Sequence, residues 1–321
     1  MNQLKHEIVK TILYFDIFSF PLKAEEIFQF CQIPTQRPTI QKALEGLVAE
    51  GQLQLTGDYY AVRESPRLAM LRQKKFQLST ELMLKAHRNA ALISQFPFVR
   101  GVAISGSLSK YAADEAADID FFIITAADRL WICRSFLHMF KKLTFLVGRQ
   151  HDFCMNYFLD QEELELKDKN LYTAFESISI IPVYGKACFR TFFTKNKWAA
   201  KFFPNTDPQE KLTTDLQERV GWVKQVLEFL FGGRWGRRIN QRIRRSTVSW
   251  WREKFRRQGY QMDQFEKDLR ATNGESKYHP NDYQHRILQA YQERLERFSS
   301  TTSEVFKTSE VVETKKATEK S

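Results

Sequence analysis

Apolar residues recur at helical spacing from the first turns of the chain. Ile8, Ile12, Leu13 and Phe15 predict one helix, and Ile27, Phe28 and Phe30 predict a second over about Lys23 to Cys31. Pro38-Thr39 opens a third, with Ile40, Leu44, Leu47 and Val48 at the same spacing and Gly51 past its end. The period then switches to alternation: Gln52 to Leu55 and Tyr59 to Val62 read as two short strands about a Gly57-Asp58 turn. A long helix follows from about Ser65 to Phe96 and stops at Pro97. Beyond it, apolar strands over 99–104, 119–124 and about 151–159 surround a helix carrying Leu130, Ile132, Phe136, Leu137 and Phe140. Strand, helix and strand in that order predict an α/β (α+β) domain with a mixed sheet. From about Tyr172 helical spacing dominates, and Tyr278-His279-Pro280-Asn281-Asp282 reads as a Pro-led helix start. Residues 299–321 are rich in Ser, Thr, Glu and Lys, with few apolar positions and no period, and are expected to be a disordered tail.

Three helices followed by a hairpin resemble a winged helix-turn-helix module over residues 1–65. The other expected divisions are a core over 66–185, a helical C-terminal region over 186–298 and the tail over 299–321. With 321 residues, 43% of them apolar, each division but the tail can bury a core. The four cysteines lie far apart with no Cys/His cluster at zinc spacing, so ordinary thiols in a reducing compartment are expected. No run of about 18 apolar residues is present, and the charged N-terminal helix is unlike a secretion signal. A cytoplasmic location is the expectation.

Charge changes the picture only late in the chain. The total is +11, yet residues 1–65 hold six basic and eight acidic side chains, whereas residues 234–257 hold ten basic and one acidic. Any surface for a polyanion therefore belongs to 234–257, where Trp235, Trp250 and Trp251 interleave with arginines. That segment could contact nucleic acid, lie on an anionic membrane or be a solvated helix face. The acidic balance of the first module argues against its binding DNA alone.

The candidate chemistry lies between the first two core strands. Strand 99–104 runs into Gly106-Ser107, ten residues intervene, and Asp118-Ile119-Asp120 heads the next apolar strand. Alternation puts the two aspartates on one face, about 7 Å apart along the strand, where they repel unless a cation lies between them. A hard divalent ion, Mg²⁺ or Mn²⁺, suits carboxylate and phosphate oxygens. Gly106 permits a tight turn, after which the Ser107 amide and hydroxyl could hold a phosphate at a helix start. Lys110 is a further phosphate candidate.

These residues resemble the DNA polymerase beta-type nucleotidyltransferase superfamily over about positions 99–159. The resemblance implies that Gly106 and Ser107, with Lys110, bind the phosphates of a nucleoside triphosphate and that Asp118 and Asp120 are metal ligands and catalytic. It also implies a third carboxylate on the following strand. In His151-Asp152-Phe153-Cys154-Met155-Asn156 two positions compete for it: Asp152 is preferred, and Asn156 is the alternative, which would cost the site one charge. Alternation is expected to put Asp152, Cys154, Asn156 and Phe158 on one face. The implied reaction is Mg²⁺-dependent transfer of a nucleoside monophosphate to an acceptor hydroxyl, with release of pyrophosphate. The alternative is a nucleotide-sensing or DNA-binding regulator with a degenerate transferase core.

Overall fold

The structure is a computed structural model and describes residues 3–63, 66–212, 221–259, 269–278 and 283–318. The chain divides into two compact units, Met1–Ala69 with Gln284–Ser321, and Met70–Tyr283. In the first, the helical spacing of Ile8, Ile12 and Phe15 becomes α1 (Gln3–Asp16), which buries all three. α2 (Ala24–Phe30) begins where the Glu26 carboxylate accepts a hydrogen bond from the Lys23 amide at 2.8 Å. α3 (Arg37–Ala49) turns Ile40, Leu44 and Leu47 into the core. β1 (Gln54–Thr56) and β2 (Tyr59–Ala61) pair antiparallel, with Leu55 opposite Tyr60.

The second unit opens with most of α4 (Pro66–Ser94). Its strands are β3 (Val99–Ile104), β4 (Asp120–Thr125), β5 (Cys154–Asp160), β6 (Ile181–Tyr184), β7 (Leu269–Ala271) and β8 (Glu275–Tyr278). They form one mixed sheet in the order β6-β3-β4-β5-β8-β7. Only β4 and β5 are parallel in it, and the crossover between them is α5 (Leu130–Phe145). Among the described residues its further α-helices are α6 (Leu171–Ser179), α7 (Lys186–Lys195), α8 (Trp222–Leu230) and α9 (Gly233–Arg257).

Strand alternation sorts the core onto two faces. Val102, Ile104, Phe121 and Ile123 pack with Ala90 and Ile93 of α4, Trp131 and Leu137 of α5, and Trp251 of α9. Ala103, Phe122 and Ile124 point the other way, onto Phe189, Phe192 and Phe193 of α7. Asp120 is in step with Phe122 and Ile124, so its carboxyl belongs to this second face.

Three expectations need correction. The stretch 186–298 is not a separate helical region: it contains β7 and β8, and β8 pairs with β5 through Tyr157–Lys277, Phe158–Ser276 and Leu159–Glu275. The strand expected over 151–159 starts at Cys154, and residues 150–152 form a 3-10 turn. The expected tail continues α10 (Tyr283–Thr318), since no Gly or Pro interrupts the propagating helix. In the first unit, α10 contributes buried Ile287 and Tyr291, and Tyr291 stands edge-on to Tyr14 with ring centroids 5.4 Å apart. The Pro280 helix start and residues 319–321 lie outside the described residues. No helix among the described residues is long and apolar enough to cross a membrane.

Candidate active site

The β3–β4 ladder ends where the Ser105 amide donates to the Asp120 carbonyl at 2.9 Å. Gly106 then turns with φ of +65°, in the left-handed region, and a Cβ there would collide with the Asp120 carboxyl. Backbone conformation and space both require glycine, and the consequence is chemical: the turn lies directly against the Asp120 carboxyl. Ser107 leads into a single 3-10 turn, Leu108–Lys110, rather than the start of a longer helix. Among the described residues its hydroxyl has no hydrogen-bond partner. Tyr111 closes the turn with a left-handed φ of 52°, held by stacking on Phe76 and by Arg72, whose guanidinium donates to the Tyr111 carbonyl at 3.1 Å.

Lys110 is not directed freely toward a phosphate. Its Nζ donates to the Gly106 carbonyl at 2.9 Å and to Glu176 of α6 at 2.9 Å, tying the turn to that helix.

The two aspartates have different surroundings. Asp118 is partly exposed, and its Oδ1 lies 2.5 Å from His151 Nδ1. Ile119 between them is buried and locks the start of β4 in place: its amide donates to the His151 carbonyl, and its carbonyl accepts from Cys154. Asp120 is largely buried. Burial pushes its carboxyl up to about 6, against a lowering hydrogen bond from the Cys154 thiol; Asp118 and Glu176 raise it further and Lys110 opposes them. Burial, and next the charge of Asp120, push the Cys154 thiol up to about 12, so it is a neutral neighbour. The raised Asp120 value records burial first, with the neighbouring acids adding a smaller part.

Asp152 does not join this cluster. Its carboxylate is 2.5 Å from Lys85 Nζ and 2.9 Å from Arg149 Nε, and its backbone carbonyl accepts from Asn89 at 3.0 Å. Burial opposes ionisation there, but the hydrogen bonds from Lys85 and Arg149 hold the group below the usual carboxylate range. The position facing Asp120 across the ladder is Cys154, and the Asn156 amide donates to the Cys154 sulfur at 3.0 Å. A bulge follows: Met155 pairs with Phe121 and Tyr157 with Phe122, leaving Asn156 as the extra residue. Past the bulge Phe158 joins the opposite core, so the expected common face of Asp152, Cys154, Asn156 and Phe158 is broken at both ends.

A divalent cation fits the chemistry of the donors present. Asp118 and Asp120 would hold it, and a cation there would reverse the penalty recorded in the raised Asp120 carboxyl. Among the described residues no three His, Cys, Asp or Glu side chains gather as a metal-holding group. The other ligands of such an ion would be substrate phosphates and water. Two residues entered this site without a sequence signal: Glu176, from a helix far along the chain, and Cys154 as the direct neighbour of Asp120.

Comparison with protein-family models, with curated proteins and with solved structures finds no match to this chain.

Proposed function

We propose that the Met70–Tyr283 unit binds a nucleoside triphosphate with Mg²⁺ or Mn²⁺ and transfers the nucleoside monophosphate to an acceptor hydroxyl, in a fold of the DNA polymerase beta-type nucleotidyltransferase kind. The observation that carries this reading is the contact of the left-handed Gly106 turn with the Asp120 carboxyl, two residues along the chain from Asp118. The acceptor oxygen attacks the α-phosphorus, the bond from that phosphorus to the bridging oxygen breaks, and pyrophosphate leaves. Bound to the aspartates, the cation would neutralise charge on the triphosphate. Gly106 and Ser107 would orient the phosphates. Lys110 and Glu176 would brace the turn, and Lys110 would reach a phosphate only by exchanging its present partners.

One observation favours a second reading, a regulator that binds nucleotide without turnover. The residues of β5 beside Asp120 are a thiol and an amide, while Asp152 is engaged by Lys85 and Arg149. The winged-helix reading of the first module adds little support for DNA contact: Arg37 at the start of α3 is held by Glu25 through two 2.8 Å hydrogen bonds.

Incubation with each α-labelled nucleoside triphosphate and Mg²⁺ separates the readings. Transfer of label or release of pyrophosphate, reduced about a hundredfold or more in Asp118→Ala/Asp120→Ala, supports the enzyme. Cation-dependent affinity without turnover supports the regulator. A protein with no cation-dependent nucleotide affinity has neither function.

A further inference from the structure

α8 is turned inside out. Trp222, Val223, Val226, Phe229 and Leu230 fall within about a third of the helix circumference at 3.6 residues per turn. That apolar stripe points to solvent, with Phe229 87% and Trp222 75% exposed. The charged side of the same helix faces the protein. Lys224 is buried and donates to the carbonyls of Ser94 and Val99 at 2.8 and 3.0 Å. Glu228 accepts from the Phe98 amide at 2.7 Å and pairs with Arg100 at 2.8 Å. A soluble helix normally shows the reverse arrangement.

The stripe continues into a strongly basic element. Gly232 and Gly233 make a tight elbow into α9, and a Cβ on Gly236 would collide with the Phe231 carbonyl. Arg129 braces the elbow, donating to the Phe231 and Gly233 carbonyls at 2.9 and 2.8 Å. Just past it Trp235 is 60% exposed, and Arg234, Arg238, Arg242 and Arg245 recur along one exposed face. The helix buries Gly236, Asn240, Trp251 and Phe255 on another side.

We propose that α8 and the basic face of α9 dock this protein on an anionic lipid surface, with the α8 stripe in the headgroup–acyl boundary and the arginines on lipid phosphates. Neither feature alone selects that partner. The arginines suit any polyanion, but a solvated nucleic-acid backbone has no apolar layer to receive Phe229, Val226 and Leu230. The apolar stripe suits any apolar face, but ten basic residues against one acidic over 234–257 favour a partner rich in negative charge. An anionic bilayer supplies both layers at the depths an amphipathic element needs, and tryptophan is at home at their boundary. The surface is independent of the nucleotide reading.

The test is co-sedimentation of the full chain with phosphatidylcholine vesicles, with and without phosphatidylglycerol, across a salt series. The expected result is binding to the anionic vesicles alone, weakening with salt and reduced about tenfold or more in both Trp222→Ser/Phe229→Ser and Arg234→Gln/Arg238→Gln/Arg242→Gln. All five positions are exposed, and unchanged melting temperatures of the variants establish that the fold is intact. Absence of vesicle binding overturns the proposal. So does vesicle binding that survives the α8 variant, which would transfer it to another patch. A single-stranded oligonucleotide bound through the arginines while vesicles are not, or a dimer dissolved by Trp222→Ser/Phe229→Ser, would assign the surface to those partners instead.

Discussion

At the scale of single residues, the site is defined by a carboxyl kept where it is uncomfortable. The folded value of Asp120 lies above the 3.8 of the unfolded chain, so the native state binds the proton more tightly than the unfolded state. The ionised group therefore costs stability above about pH 6, and the cost fades as pH falls toward 4. Burial is its main source, with Asp118 and Glu176 adding to it and Cys154 and Lys110 offsetting part. In a chelating buffer, Asp120→Asn should stabilise the protein by about 2–3 kcal/mol at pH 8 and make no difference at pH 4. Denaturant midpoints at the two pH values measure this. The same variant should lose cation-dependent nucleotide affinity. Asp152 behaves oppositely: its lowered value makes it stabilising above the unfolded pKa, with the contribution lost as pH falls through the folded one. Asp152→Ala should cost about 1–3 kcal/mol near neutral pH and leave nucleotide affinity unchanged. Asn156→Asp should tighten cation binding at the candidate site, read by titration calorimetry with Mn²⁺. An Asp152→Ala protein that keeps its stability but loses nucleotide binding would restore Asp152 to the site.

At the scale of elements, α8 reverses the ordinary rule for helix substitutions. Lys224→Met replaces a buried ammonium with an apolar group and strands two carbonyls, so it should destabilise by about 1–3 kcal/mol. Phe229→Ser, apolar to polar, should stay within about 0.5 kcal/mol of the parent because the ring makes little contact. Urea midpoints of the two variants decide it. Sequence pattern alone ranks them the other way, which marks one limit of reading a chain by its periods. The period gives the apolar stripe of α8 but not the direction it faces, since that depends on Ser94, Val99 and Arg100 arriving from elsewhere. The β3 and β4 strands, the glycine turn and the aspartate pair were legible because each is local and strongly patterned. β7 and β8 were not, being too short to establish alternation; their available sign was Asn273-Gly274, a hairpin turn in which Thr272 Oγ1 accepts from the Glu275 amide at 2.9 Å. The β5 bulge was also silent, because one extra residue leaves the apolar composition of a strand unchanged. Glu176 reaches Lys110 across 66 positions, a distance no motif spans.

At the scale of the whole molecule, the chain closes its first unit with its last helix. Tyr291 is buried against Tyr14, and Asp16 accepts from Arg294 at 3.1 Å and pairs with Arg63 at 3.2 Å. α1 and the early turns of α10 thus share one core, while the candidate site belongs wholly to Met70–Tyr283. A ligand stabilises the part that binds it by RT ln(1 + [L]/Kd), about 2.7 kcal/mol at a hundred times Kd. Loss of a buried aromatic ring costs about 3 kcal/mol in the part that contains it. Calorimetry of the full chain should therefore resolve two responses. Tyr291→Ala should lower the melting of the first unit, and Mg²⁺ with a nucleoside triphosphate should raise that of the second, each leaving the other transition in place. If nucleotide shifted the transition that Tyr291→Ala lowers, and only that one, the binding site would belong to the first unit, and the assignment of Gly106, Asp118 and Asp120 would fall with it.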